Sequence, residues 1–217
     1  MIDAILFDLD GTLFDRDLAV SEVATRQVTQ FAHLIPAGRA SAFVERVIAL
    51  DAHGYRDKRE VYATIGTEFG FDAAAVAALL ASFWAEYPKC CRPQSGVTDT
   101  LAALRCRGKR LGIVTNGATA IQQAAIDALG VGPLFDAILI SETEGVRKPD
   151  PVIFRRAAAR LGVPAERCCF VGDHPDADVR GARRAGLQVF WKRTSYWQPS
   201  EPLPTIDAIP DLLALIP

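Results

Sequence analysis

The stretch "ILFDLDGTLFD", residues 5–15, carries an apolar run straight into two carboxylates, Asp8 and Asp10, one residue apart, followed by Gly11 and Thr12. Side chains alternate along a strand, so Asp8 and Asp10 can project to one side at its carboxyl end while Leu9 packs the other way. Two carboxylates about 4 Å apart repel by roughly 4 kcal/mol at an effective dielectric near 20. A shared proton or a cation between them relieves that repulsion, or one of them merely caps a turn. The motif alone leaves these readings open.

Further apolar, β-branched runs follow at 111–115, 137–141, 168–172 and 187–191. Helix-length segments lie between them and end at Gly130, Gly162 and Gly186, where glycine supplies a left-handed helix stop. Asp150 and Pro151 in "KPDP" read as the cap and first position of another helix. Strand and helix alternate, so the expected fold class is α/β, a doubly wound parallel sheet with helices on both faces. From about residue 15 to about residue 92 the rhythm breaks. Four helical patterns stand there instead, near 16–34, 38–52, 57–69 and 73–87, with an end near Pro88 to Pro93. A structureless loop of that length is improbable, so the excursion reads as an inserted all-helical cap subdomain. The expected division is 1–14 with 94–217 for the α/β core and 15–93 for the helical cap. Ligands of open α/β sheets bind at the carboxyl ends of the strands, the edge from which the insertion departs. The tail, residues 196–217, reads as a proline-rich connection, a short strand and a final amphipathic helix.

The chain has 217 residues, a formal net charge of −2 and half its residues hydrophobic, which suits a globular protein and gives no electrostatic argument for nucleic acid or an anionic membrane. Five cysteines form two adjacent pairs and no CxxC, so neither a disulfide framework nor a zinc site is expected. No signal peptide or bilayer-spanning run is read, and the expected location is cytoplasmic, as a monomer or homodimer.

Three more strand ends carry polar groups. "VGDHPDAD", 171–178, runs from a buried strand into Asp173, with Asp176 and Asp178 following. Carboxylates from two strand ends meeting at one edge make a hard-cation site, and magnesium typically takes one or two carboxylates plus waters and substrate phosphate. Asp176 reads as charge favoured near a helix N-terminus. "VTNG", 114–117, turns from Thr115 through Asn116, the single asparagine of the chain, into a helix whose first N–H groups suit an anion. Lys148 in "EGVRKPDP" offers a compact ammonium suited to a phosphate and a nucleophilic carboxylate.

Together these features resemble the haloacid dehalogenase-like (HAD) superfamily. Its first motif corresponds to "DLDGT" at 8–12, its second to "VTN" at 114–116, its third to Lys148, and its fourth to "GDHPDAD" at 172–178. The insertion resembles the helical cap of the phosphoglycolate phosphatase-like branch. The resemblance implies a Mg²⁺-dependent phosphatase of a small phosphorylated metabolite, with Asp8 attacking phosphorus to form an aspartyl-phosphate and Asp10 as general acid and base. It further implies Mg²⁺ held by Asp8, Asp173 and the Asp10 backbone carbonyl, with Asp178 orienting its waters. Phosphate falls to Thr115, Asn116 and Lys148. The family's dehalogenases need no metal and lack an aspartate at the position of Asp10, so phosphoryl chemistry is favoured. A phosphomutase, or a non-catalytic phosphometabolite-binding module, remains the alternative. Substrate choice is expected from the cap, where a helix break is expected to expose Tyr55, Arg56 and Lys58. Trp84 is read as cap core, and His33, His53 and His174 as structural.

Overall fold

The computed structural model describes residues 1–217. Six strands, β1 (Ala4–Phe7), β2 (Arg110–Thr115), β3 (Ala137–Ile140), β4 (Cys168–Gly172), β5 (Gln188–Lys192) and β6 (Thr205–Ile206), form one sheet in the order β3-β2-β1-β4-β5-β6. Every pairing is parallel. All four residues of β1 are buried, as an uninterrupted apolar run requires of a central strand. Phe7 pairs with Ile113 on one side and Val171 on the other, so the chain leaves all three strands at one edge. From β1 the order runs through β2 to β3 in one direction, and from β4 through β5 to β6 in the other. The gap between β1 and β4 is therefore the topological switch point, where an open α/β sheet leaves a crevice.

The chain divides into two compact units, Met1–Phe14 with Pro93–Pro217, and Asp15–Arg92. Within the α/β unit the two crossings are tied side by side: Phe14 bridges Pro93, and Gln94 N–H donates to Leu13 O at 3.0 Å. The other unit is all helix: α1 (Arg16–Gln30), α2 (Ala40–Asp51), α3 (Lys58–Phe69) and α4 (Ala73–Cys90), with short 3₁₀ turns. Asp15, Asp57 and Asp72 cap three of them by accepting the N–H of Leu18, Arg59 and Ala75. Its core gathers Phe43, Tyr62, Ile65, Leu79 and Phe83. The buried Gln27 is satisfied on both ends, donating to Leu79 O and accepting from Tyr62 Oη, each at 2.7 Å.

Helix α4 runs through Pro88 to Cys90 instead of stopping there; so close to the end, the missing N–H costs a single helical bond. Trp84 is not core: it is 38% exposed, set edge-on to Phe83 at 5.1 Å.

The α/β unit adds α5 (Val97–Cys106), which the apolar pattern did not announce, then α6 (Thr119–Leu129), α7 (Ser141–Glu144) and α8 (Pro151–Leu161). The cap of α8 is Asp150, accepting from Val152 N–H at 2.9 Å, and Phe154 meets Phe170 of β4 edge-on at 4.9 Å. The C-terminal helix shrinks to one turn, Leu212–Leu215. No helix is long and apolar enough to cross a membrane.

Candidate active site

The switch point collects the acids. Asp8 leaves β1 with its N–H on Val171 O at 2.9 Å. Its Oδ1 accepts from Lys148 Nζ at 2.5 Å, and its Oδ2 from Thr12 Oγ1 at 3.1 Å. The same ammonium lies 2.7 Å from Asp178 Oδ1, so one lysine spans two carboxylates. Asp178 projects from a π-helix, Pro175–Arg180, and its Oδ2 accepts the His174 N–H at 3.0 Å. Asp173 follows β4; its backbone carbonyl accepts from Trp191 Nε1 at 2.6 Å, and Tyr196 Oη stands 3.4 Å from its Oδ2. One carboxylate oxygen each from Asp8, Asp173 and Asp178 lies within 4.8 Å of the others, and all three residues are buried.

Two glycines make this crowding possible. A Cβ at Gly172 would stand 2.5 Å from Asp178 Oδ2, and one at Gly11 would stand 2.5 Å from Asp173 Oδ2. Gly11 also takes φ +79°, a left-handed conformation that side chains resist.

Three buried carboxylates outnumber the cations that act on them, Lys148 paired with Asp8 and Asp178 and Lys192 also drawing on Asp173, and the imbalance shows in their proton affinities. Burial first, then the neighbouring Asp178 and Asp10 charges, push Asp8 up from its ordinary 3.8 to about 7, against the pull of Lys148. Asp173 is raised well above its ordinary value by burial and by the Asp8 and Asp178 charges. Burial would lower Lys148, but Asp178 and Asp8 overcome it and hold the ammonium above its usual range. Asp178 Oδ1, although ion-paired, is buried with no directed hydrogen-bond donor. An excess of negative charge, all-oxygen donors and an oxygen lacking a donor suit a divalent hard cation.

The polar edge of β2 completes the pocket floor. Thr115 is buried, and Asn116 spends its carboxamide on the backbone of Lys148: Nδ2 donates to Lys148 O at 3.0 Å, and Lys148 N–H donates to Oδ1 at 2.9 Å. The side chain of Asn116 thus holds the lysine loop, leaving to its backbone any role toward an anion. The carboxylate of Asp10, whose charge acts on Asp8, accepts from Gln122 Nε2 at 2.7 Å. His174 caps the π-helix, its Nδ1 accepting from Asp176 and Ala177 N–H at 3.1 Å each, and burial lowers its pKa.

In the helical unit, Lys58 is not exposed as expected. It is 6% exposed and paired with Asp51, which also binds Arg16. Burial pushes Asp51 up, but the two cations hold it below its ordinary value. The lysine is consumed by the fold because Asp51 needs it. Tyr55 is exposed and Arg56 half-buried, donating to Thr64 Oγ1 at 2.9 Å. Ala52 and His53, just before them, both take positive φ, 48° and 54°, and His53 Nδ1 meets Asp17 Oδ2 at 2.7 Å.

A family model described as haloacid dehalogenase-like hydrolase matches residues 2–186. The chain belongs to that family. This HAD-like hydrolase is 34% identical over 224 residues to a glyceraldehyde 3-phosphate phosphatase of Methanopyrus kandleri, covering 97% of this chain and 92% of the relative. It is 32% identical over 226 residues to a phosphoglycolate phosphatase of Rhodospirillum rubrum, covering 96% and 86%. The magnesium-bound structure of the HAD hydrolase YfnB from Bacillus subtilis shares the fold, with TM-score 0.79 at 24% identity, covering 99% of this chain and 98% of that one.

Sequence reasoning missed three residues of the HAD-like hydrolase whose side chains meet the acids' carboxylates: Thr12 on Asp8, Gln122 on Asp10 and Tyr196 beside Asp173. Thr12 lay inside the quoted motif and was legible as a neighbour of Asp8. Gln122 and Tyr196 carry no local signal for the acids, because their acid partners are 112 and 23 residues away.

Proposed function

We propose that this HAD-like hydrolase is a magnesium-dependent phosphomonoesterase of small phosphorylated metabolites, working through an aspartyl-phosphate on Asp8. The observation that carries the reading is the buried set of Asp8, Asp173 and Asp178, with the Lys148 ammonium paired to Asp8 and Asp178 and the Asp10 charge close enough to raise Asp8. The names of the two full-length relatives, both phosphatases, support it. Asp8, Asp173 and the Asp10 carbonyl would hold Mg²⁺, with Asp178 beside its waters, and the ion would neutralise charge on the phosphoryl oxygens.

The chain's own groups divide the remaining work. Thr12 and Lys148 each take one oxygen of Asp8 and fix the carboxylate, so its attack on phosphorus needs no reorientation. As the Asp8–phosphorus bond forms and the ester bond breaks, Asp10 gives its proton to the departing alkoxide oxygen. It then takes a proton from the water that cleaves the acyl phosphate, returning Asp8 and inorganic phosphate. Lys148 balances the gathering negative charge, and Thr115 with the backbone after it receives the phosphate. The inserted helical unit acts as the cap that selects substrate, with Tyr55 and Arg56 its specificity candidates.

Purified protein should hydrolyse p-nitrophenyl phosphate with Mg²⁺ and lose that activity in EDTA. Asp8→Asn should stay folded and be nearly inactive; turnover retained by that variant rejects Asp8 as nucleophile.

A further inference from the structure

Gln122 on α6 is 4% exposed, and a buried carboxamide N–H is costly unless it is hydrogen-bonded. Its Nε2 donates to two oxygens at once: Asp10 Oδ2 at 2.7 Å and Thr115 Oγ1 at 2.5 Å. The orientation of the amide follows from chemistry, since Oε1 facing the same two oxygens would set acceptor against a carboxylate. Gly117 is shaped around this group. A Cβ there would meet Gln122 Cδ and Cγ at 2.8 Å each and push the carboxamide off both partners.

We propose that Gln122 is a positioning residue that decides which oxygen of Asp10 handles the proton and where Thr115 points its hydroxyl hydrogen. This rests on the reading of Asp10 as general acid. An N–H aimed at Oδ2 makes that oxygen an acceptor whether Asp10 is protonated or not, so the transferable proton resides on Oδ1. In the same way, Thr115 accepts from Gln122 through its oxygen and turns its own O–H toward an acceptor elsewhere, the phosphoryl group. One side chain thereby sets the acid and a phosphate donor in a common frame, and small displacements of either are felt in rate.

The test uses substituted phenyl phosphates, which differ in leaving-group basicity while keeping one shape. General acid help matters most for basic leaving groups and little for p-nitrophenolate. In the full-length enzyme with Mg²⁺, kcat/KM of Gln122→Met should fall on the order of ten-fold more for phenyl phosphate than for p-nitrophenyl phosphate, steepening the leaving-group dependence. Asp10→Asn serves as reference and should steepen it further. Gly117→Ala, which displaces the carboxamide without removing it, should steepen it in the same direction and decides the matter if Gln122→Met does not fold. A uniform drop across the series in Gln122→Met and Gly117→Ala, with Asp10→Asn steepened, overturns the role of Gln122 and leaves Asp10 as the acid. An unchanged slope in Asp10→Asn overturns both.

Discussion

Replacing Asp8 by Asn should stabilise the metal-free protein while abolishing catalysis. Asn keeps the shape of Asp8, its Oδ1 can still accept from Lys148, and Thr12 can accept from its amide, so no partner is stranded. What disappears is a buried negative charge. The carboxyl is raised from its ordinary 3.8 to about 7, first by burial and then by Asp178 and Asp10, with Lys148 opposing. A group whose folded-state pKa is raised binds its proton more tightly folded than unfolded, so ionising it costs stability as pH rises from about 4 to about 7. The full difference corresponds to roughly 4 kcal/mol as a ceiling. Asp8→Asn should therefore gain about 2–4 kcal/mol over wild type near pH 8 in EDTA, or at least roughly 4 °C in the melting of the α/β unit. The gain should be small by about pH 4 and vanish below about pH 3, where the wild-type carboxyl is protonated in both states. Melts followed by circular dichroism across that range, with EDTA throughout, measure it. If Asp8→Asn melts at or below wild type near pH 8, attraction to Lys148 outweighs burial and the account of the charge imbalance is wrong.

Lys148→Met, by contrast, strips away the buried ammonium that pairs both Asp8 and Asp178. It should cost about 3–5 kcal/mol at neutral pH, the cost shrinking in acid as the carboxyls protonate; adding Asp178→Asn should recover part of it in chemical denaturation. Asp51→Ala would leave Arg16 and Lys58 together without their shared anion, so the helical unit should lose about 3–5 kcal/mol while Lys58→Met loses less, read as an earlier helical melt. Gly172→Ala places a methyl 2.5 Å from Asp178 Oδ2; it should cost about 1–3 kcal/mol and weaken the thermal stabilisation that the proposed Mg²⁺ site should give wild type on adding Mg²⁺. Equal Mg²⁺ stabilisation in that variant and wild type would show that Asp178 can move without consequence.

Much of this protein was written along the chain. Apolar runs of strand length, glycine helix stops and carboxylates at strand ends are local features, so the parallel sheet, the long helical insertion and the set Asp8, Asp10, Thr115, Lys148, Asp173 and Asp178 could be read without coordinates. The fate of a side chain that must find a distant partner could not. Lys58 stands at a polar helix break, which reads as solvent-facing, yet a buried Asp51 seven residues earlier demands its charge. Trp84 reads as core from its apolar surroundings, but its place on α4 turns it partly outward. Asn116 reads as a phosphate ligand, and tertiary structure turns its carboxamide onto the lysine loop, because Lys148 N–H and C=O come within reach only when β2 and that loop are folded together. Gln122 shows the division most plainly: its identity is local, but the meeting of its amide with Asp10 and Thr115 exists only once β1, β2 and α6 share one edge of the sheet. Sequence fixes periodicity and charge, which are properties of neighbours along the chain; hydrogen-bond pairing across tens of residues depends on register and burial, which only the packed fold provides.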